Sequence, residues 1–210
     1  MTDKIADYYF SVTSPWSYLG HQQFVNLCSA AGWKIAYKPV DFGPVFAQSG
    51  GLPLPQRSEQ RRRYRLFELQ RWRDFRNVNL NIRPKHFPTN PDLGNRLCIV
   101  ADHLGLDAGR LTHAVMQACW AEEKDIADPG TLVGVANQAG FDGDALVEQA
   151  GTKAIADAAN AFTQEAITNQ IFGAPTYVIN SEPFWGQDRL EFVSRALTGN
   201  ITPYSVEGPV

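Results

Sequence analysis

The sequence predicts an α/β fold with a four-stranded mixed sheet and a large all-helical insertion, and two observations support this fold class. Strand patterns occur only near the two ends of the chain, in residues 4–40 and 175–186, whereas the residues between them carry apolar positions at helical spacing. The first strand pattern is followed by a helix and a second strand, which is the order of a right-handed parallel βαβ unit. With 210 residues, 44% of them hydrophobic, the chain is long enough to bury a core.

The N-terminal part is expected to form that βαβ unit. Residues 4–10 (KIADYYF) and 33–40 (WKIAYKPV) have the pattern of strands. The helix between them is predicted over residues 15–31, with Ser14 as its N-cap and Gly32 closing it. A proline at position 15 suits the first helical position, where a missing N–H costs nothing.

The middle of the chain, residues 46–170, is expected to be a helical subdomain because it has almost no strand pattern. Gly, Pro and Asp residues separate its helical runs, from which we predict five or six segments. The runs are RSEQRRRYRLFELQRWRDF, NRLCIVADHLG, GRLTHAVMQACWAEE, DPGTLVGVANQAG, DGDALVEQAG and TKAIADAANAFTQEAITNQ.

The C-terminal part returns to strands and completes the sheet. The segments PTYVI and EPFWG flank a short turn at residues 180–181, and QDRLEFVSRAL is predicted as a helix ended by Gly199. We therefore expect residues 1–45 and 171–210 to form one discontinuous domain, with residues 46–170 inserted between its halves.

Composition and charge exclude several classes of protein. A net charge of −3 gives no general attraction to nucleic acid or to an anionic membrane. The start of the chain lacks a signal-peptide pattern and no apolar run approaches about 18 residues, so we expect a cytoplasmic protein. The basic segment 57–76 does not indicate nucleic-acid binding, because Glu59, Glu68 and Asp74 interrupt it and apolar positions at helical spacing bury one face.

Cysteine and histidine positions indicate neither disulfides nor a metal site. Cys28, Cys98 and Cys119 are odd in number, far apart and placed in apolar helical patterns, so they are predicted to be buried free thiols. The histidines on the predicted helices lack metal-ligand spacing and are interpreted as surface or packing residues.

Four motifs, in order along the chain, resemble those of 2-hydroxychromene-2-carboxylate isomerases and the related kappa-class glutathione transferases. They are FSVTSPWSYLG, FELQRW, FGAPTYVI and FWGQDRLEFV, and together they span nearly the whole chain. The resemblance implies a thioredoxin-like fold with a helical insertion, as in DsbA. In that fold a cis-proline precedes the third strand and faces the reactive corner, and Pro175 occupies its position. The reactive Cys-x-x-Cys is here SPWS, with serines at 14 and 17.

The chemistry of this corner agrees with the resemblance. Unpaired N–H groups and the positive end of the helix dipole stabilise a negative group at a helix N-terminus. With serine in place of cysteine, the Ser14 hydroxyl can donate to a thiolate from outside, and charge-assisted hydrogen bonds of this kind contribute roughly 1.5–3 kcal/mol. The thiol implied by the resemblance is glutathione, with Ser14 as the catalytic residue.

The resemblance also implies further glutathione contacts. The backbone of Ala174 is expected to pair with the cysteinyl unit, and Gln187 and Asp188 to contact the γ-glutamyl end. For Asp188, an N-cap of the last helix is the alternative. Where the family has an asparagine loop and a lysine, this chain has AQSGGLPLP and RRRYRL. The expected glutathione contacts are Ser14, Ser49, Gly51, Arg61, Ala174, Pro175, Gln187 and Asp188, with Arg62 as an alternative to Arg61.

The function implied by the resemblance is glutathione-dependent cis-trans isomerisation of a small aromatic carboxylate in aromatic-ring degradation. Reversible thiolate addition lowers the bond order, allows rotation and returns the thiol. Trp16 and Tyr18 are expected to line the pocket or to pack in the core, and Lys85 and His86 to reach the substrate carboxylate or to face solvent. A kappa-class-like transferase and a non-catalytic thioredoxin-fold binding module are the alternatives. Family members are typically dimers, which implies a homodimer.

Overall fold

The computed structural model describes residues 4–204 and 206, and it contains the predicted four-stranded mixed sheet. The strands are β1 (Ile5–Phe10), β2 (Lys34–Pro39), β3 (Thr176–Ile179) and β4 (Glu182–Trp185), in the spatial order β2-β1-β3-β4. β1 pairs in parallel with β2, whereas the β1–β3 and β3–β4 pairs are antiparallel. The predicted fold class, including the parallel βαβ unit, is confirmed.

Nine α-helices lie within the described residues, seven of them between β2 and β3. They are α1 (Pro15–Ala31), α2 (Phe42–Ser49), α3 (Glu59–Arg76), α4 (Asp92–His103), α5 (Ala108–Trp120), α6 (Pro129–Gln138), α7 (Gly143–Ala150), α8 (Lys153–Thr168) and α9 (Leu190–Leu197). Short 3₁₀ turns at Leu54–Gln56 and Gln187–Arg189 precede α3 and α9. We call α2 to α8 the helical block.

Helix α1 has the predicted bounds because its ends are encoded locally. The Ser14 Oγ accepts from the Ser17 N–H at 3.2 Å, and Pro15 occupies the first position. Gly32 ends the helix with a φ of +70°, a left-handed conformation that suits glycine.

Helix α2 is not predicted, since FGPVFAQS contains a glycine, a proline and two aromatic residues, which have low helix propensity. Its ends nevertheless carry signals: Asp41 caps it by accepting from the Gly43 N–H at 2.9 Å, and Gly50 ends it with a φ of +73°. The expected boundary between residues 45 and 46 therefore falls inside a helix.

One continuous hydrophobic core joins the sheet to the helical block. Tyr8 on β1 stacks on Phe10 and on Tyr177 of β3, with ring centroids 4.6 and 5.4 Å apart. His21 on α1 is fully buried, and its Nε2 forms a hydrogen bond with the Gly109 carbonyl oxygen of α5 at 2.9 Å. A carbonyl only accepts, so the neutral ring carries its proton on Nε2. Burial lowers the pKa of His21 to about 4. The helical block is thus fixed against α1.

The three cysteines are buried and free, as predicted. Burial raises the pKa of each of Cys28, Cys98 and Cys119 to about 12. At neutral pH they are thiols packed in the core. Within the described part of the chain, no helix combines the length and the apolar character that crossing a bilayer requires.

Candidate active site

The junction of β1 and α1 forms a corner at one end of the sheet. Ser14 is half-buried there, and its Oγ uses a lone pair to accept from the Ser17 N–H. The hydroxyl proton remains available, because accepting a hydrogen bond does not consume it. The Trp16 amide lies in the same first turn, where no acceptor exists within the helix. The N-cap role and a role as donor to a ligand are therefore compatible at Ser14.

The loop before β3 lies at the same end of the sheet. β1 and β3 are antiparallel and Tyr9 pairs with Thr176, so residues 174 and 175 continue past the end of β1 towards the corner. The Ala174–Pro175 peptide bond is cis, as expected from the resemblance. Strand pairing begins only at Thr176, so the backbone of Ala174 lies outside the β1–β3 ladder.

The fourth motif reaches this end of the sheet through β4. The Gly186 N–H donates to the Pro175 carbonyl at 2.8 Å, which places the following residues beside the cis-proline loop. The side chain of Gln187 is buried and accepts from Arg76, whose guanidinium also donates to the Gln187 carbonyl at 2.6 Å. The first, third and fourth sequence motifs therefore converge, and the C-terminal end of α3, which follows the second motif, contacts the fourth.

Asp188 is exposed and pairs with the neighbouring Arg189 at 2.6 Å. It does not cap α9, since that helix begins at Leu190 with no side-chain cap. Of the two roles considered for Asp188, the N-cap is therefore wrong, and its carboxylate faces solvent next to the corner. Gln187, held by Arg76, presents almost no surface to a ligand.

One residue that positions the corner is missed by the sequence analysis. The Oδ1 of the buried Asn95 on α4 accepts from the Val12 N–H at 3.0 Å, across 83 residues. Gly94 packs next to it, where a Cβ would lie 3.1 Å from Val12 and 3.2 Å from Val115 of α5. No local signal marks Asn95, because its partner is distant in sequence.

Arginines at helical spacing line the start of α3. Arg57 donates to the Leu52 carbonyl at 2.7 Å, which holds the loop after α2 against them. Arg61 is exposed, whereas Arg65 lies against two aromatic rings, Phe87 at 5.7 Å and Trp120 at 6.0 Å from the guanidinium carbon. We call Arg57, Arg61 and Arg65 the arginine column.

The loop residues predicted to bind glutathione lie before this column in the chain. Ser49 is exposed at the end of α2, and Gly51 packs under Phe46, where a Cβ would lie 3.0 Å from the ring carbon Cγ. Arg61 belongs to the column itself. The Arg57–Leu52 hydrogen bond thus ties the loop that contains Gly51 to the segment that leads into α3, where Arg61 lies.

Four residues were expected to contact substrate. Trp16 is half-buried in the first turn of α1, beside Ser14. Tyr18 is only 3% exposed, and its hydroxyl donates to the Asn79 carbonyl at 2.9 Å. Of the two roles considered for Tyr18, the structure therefore supports packing in the core. Lys85 is exposed, and the Nδ1 of His86 lies 3.8 Å from an Asp125 carboxylate.

Two cavities lie away from Ser14. One of about 1220 Å³ opens where β1 and β2 begin, at the other end of the sheet, and is lined in part by Trp33 and Ile171. Another of about 540 Å³ is bordered by His86 and Asp125. His86 thus borders a separate cavity. The corner itself lies between the end of the sheet and α1.

The helix N-terminus facing a cis-proline loop at the end of a β2-β1-β3-β4 sheet defines a protein of the thioredoxin-like class. The chain belongs to the family of DSBA-like thioredoxin domains, whose model matches residues 5–198.

Among the similar proteins, three curated relatives and one solved structure carry the name of the same isomerase, whereas other solved structures of this fold are named as disulfide oxidoreductases. The chain is 28% identical over 196 residues to 2-hydroxychromene-2-carboxylate isomerase of Sphingobium xenophagum, covering 92% of this chain and 98% of that protein. It is 28% identical over 198 residues to the Pseudomonas putida protein of the same name, covering 92% and 94%. A solved 2-hydroxychromene-2-carboxylate isomerase superposes with a TM-score of 0.77 at 26% identity, covering 93% of this chain and 95% of that chain.

Proposed function

We propose that this protein is a glutathione-dependent cis-trans isomerase that acts on 2-hydroxychromene-2-carboxylate or a similar aromatic carboxylate. The observation that carries the proposal is a serine hydroxyl at the N-terminus of α1, in a chain whose three cysteines are all buried elsewhere with raised pKa values. A thiolate at this corner must therefore come from outside the chain. The isomerase relatives support the reaction, because their names state it. From the family resemblance we also propose that the enzyme works in aromatic-ring degradation, as a cytoplasmic homodimer.

The residues at the corner fit glutathione. Glutathione supplies a thiol that can add to an electron-poor carbon and leave again, which replaces rotation about a full double bond by easier steps. Ser14 donates its hydroxyl hydrogen bond to the sulfur and, with the positive end of the α1 dipole, favours the thiolate over the thiol. The backbone of Ala174, outside the strand ladder, is available to pair with the extended tripeptide.

Charged groups around the corner match the ends of the tripeptide. Asp188 presents an exposed carboxylate on the β4 side, which suits the γ-glutamyl ammonium. Arg61 presents an exposed cation for the glycyl carboxylate. Trp16 provides an apolar surface next to Ser14 for the aromatic ring of the substrate.

The test is the ionisation of bound glutathione in the wild type and in Ser14→Ala. Glutathione binding is measured by calorimetry, and thiolate formation by its ultraviolet absorbance as a function of pH. Losing one charge-assisted hydrogen bond should raise the pKa of the bound thiol by about one unit or more, and turnover at neutral pH should fall about tenfold to a hundredfold.

Two further variants separate the hydroxyl donor from the helix cap. Ser14→Thr keeps both roles and should retain a depressed thiol pKa. Ser14→Asp keeps the cap but repels a thiolate, so it should stay as stable as the wild type and lose ionisation, whereas Ser14→Ala also loses about 1 kcal/mol of stability. The same thiol pKa in wild type and Ser14→Ala, or no glutathione binding at millimolar concentration, would refute the proposal.

Product analysis distinguishes the isomerase from a transferase. An isomerase returns glutathione in every turnover, so its concentration should stay constant while the aromatic substrate is converted. Consumption of glutathione in proportion to turnover would instead identify a kappa-class-like transferase.

A further inference from the structure

We propose that Arg65 binds the carboxylate of the aromatic substrate, at a site separate from the carboxylate sites for glutathione. This inference rests on the proposed function for the identity of the substrate. It names a residue and a ligand class, an aryl or enone monocarboxylate, that the sequence motifs do not indicate.

The first argument is the environment of the Arg65 guanidinium. The Arg65 side chain is half-buried, and among the described residues no carboxylate forms an ion pair with it and no oxygen accepts from it. Burial lowers the pKa of Arg65 to about 10, and the nearby positive charge of Arg57 adds to the effect. A half-buried charge without a counterion is partly desolvated, and the N–H donors of this guanidinium remain open to a ligand, since none of its nitrogens is among the buried atoms that lack a partner. An anionic ligand would satisfy them.

The second argument is the position of Arg65 relative to the corner. Helices α1 and α5 run antiparallel, since His21 meets Gly109 and Tyr18 lies by His113, with ring centroids 5.8 Å apart. Moving along α1 towards Ser14 therefore corresponds to moving along α5 towards Trp120.

Two contacts support this register. Val115 of α5 approaches Val12, just before the corner, because Gly94 packs between them. The segment that follows α3 contacts both helices: the Asn79 carbonyl accepts from the Tyr18 hydroxyl of α1, and the Asn81 N–H donates to the Trp120 carbonyl of α5 at 2.7 Å. Arg65, stacked on Trp120, thus stands at the end of α5 that adjoins the first turn of α1.

The third argument is chemical complementarity. A guanidinium presents a planar fork that matches a carboxylate with two parallel hydrogen bonds. The rings of Phe87 and Trp120, with centroids 4.7 Å apart, lie against the guanidinium and reduce its access to water. The combination suits a flat ligand with an apolar ring and one carboxylate. The exposed Arg61 has no aromatic surface of this kind among its described contacts.

The experiment compares trans-cinnamate with its methyl ester, which has the same ring and no charge. Binding of each is measured by calorimetry without glutathione, for the wild type, Arg65→Met and Arg65→Lys. Methionine keeps an apolar stem in the pocket and removes the fork. Arg65→Met should weaken cinnamate binding about tenfold to a hundredfold, and Arg65→Lys should recover only part of the loss. Ester binding should change less than about twofold.

Arg63→Met is the matched control, because Arg63 lies on the same helix but is exposed. It should leave cinnamate binding unchanged. Since cinnamate is measured without glutathione, failure of the wild type to bind glutathione would remove the proposed function and leave this test intact. The inference is overturned if the wild type does not discriminate cinnamate from the ester, or if Arg65→Met binds both probes as the wild type does.

A stability measurement separates ligand binding from a structural role. An arginine needed for folding would destabilise the protein when replaced. Removing an unpaired, half-buried charge should leave the melting temperature of Arg65→Met unchanged or raise it. A folded Arg65→Met variant that loses cinnamate but not glutathione supports the inference; equal loss of both ligands contradicts it.

Discussion

Two regions of the molecule hold a partly buried cation, and they treat it in opposite ways. At the β1–β2 pair, the Lys38 Nζ lies 2.8 Å from Asp7 and 2.6 Å from Glu165 of α8. Burial disfavours the charged lysine, but the hydrogen bonds to these carboxylates outweigh it and raise the pKa of Lys38. In the second turn of α3, Arg65 faces aromatic rings and has no acid beside it among the residues that the structure describes, and its pKa falls to about 10.

The presence or absence of a neighbouring carboxylate distinguishes the structural role of Lys38 from the ligand-binding role that we propose for Arg65. Lys38 joins β2 to α8 through Glu165, which also accepts from the Tyr9 hydroxyl at 2.6 Å, so its charge is neutralised within the fold. Arg65 keeps its charge unneutralised among the described residues. Perturbed charges of this kind cluster at functional sites, and this is why we assign Arg65 to a ligand.

The largest expected effect concerns stability. Lys38→Met leaves Asp7 and Glu165 facing each other without a cation. We expect this variant to lower the free energy of unfolding by about 2 kcal/mol, a cost between those of breaking an exposed and a buried ion pair. Arg65→Met should change it by less than about 0.5 kcal/mol. Urea denaturation of both variants measures this, and equal destabilisation would abolish the contrast.

The next effect is the response to salt. The Debye length falls from about 10 Å at 0.1 M salt to about 3 Å at 1 M, and screening acts most on charges that solvent reaches. We expect cinnamate affinity to fall roughly threefold over this range, because the ligand approaches Arg65 through solvent. The cost of Lys38→Met should stay within about 0.5 kcal/mol, since the side chain of Lys38 is only 14% exposed. A larger salt response at Lys38 than at Arg65 would reverse the assignment.

The smallest effect is expected in acid. Burial works against ionised Glu165, but the hydrogen bonds from Lys38 and Tyr9 outweigh it and lower the pKa of Glu165. Its contribution to stability is therefore present above the pKa of an unfolded glutamate, near 4.3, and is lost as the pH falls through the lower folded value. Denaturation of wild type and Glu165→Gln from pH 6 to pH 3 should show the difference between them shrinking by about 0.5 kcal/mol. If the stability difference between wild type and Glu165→Gln does not change with pH, protonation of Glu165 is not coupled to folding.

Elements with local signals were predictable from sequence, and α1 is the best example. Ser14, Pro15 and Gly32 specify its two ends independently of the rest of the fold. Helix α2 was missed because its interior residues oppose a helix, although Asp41 and Gly50 mark its ends. Tertiary packing, in which Val45 is buried, outweighs the low propensity.

The candidate site was only partly predictable, for a related reason. Ser14 and Pro175 lie in motifs that carry their own context, and the structure brings their segments together. Asn95, Arg65 and Arg76 act through partners many residues away, so no pattern around them indicates a role. Two roles were left open for Tyr18 because a sequence motif does not show which face of a helix turns inward, and the structure supports the packing role.

The position of the helical block has a consequence for how the chain folds during synthesis. β1 is a central strand and needs β3 on one side, yet the whole helical block is synthesised between them. The Trp33 indole donates to the Leu197 carbonyl 164 residues later, so this closure also waits for the C-terminus. On a ribosome, the βαβ unit must remain with one unpaired edge while seven helices emerge. Chaperones that cover exposed strand edges would therefore act on the nascent chain before β3 appears.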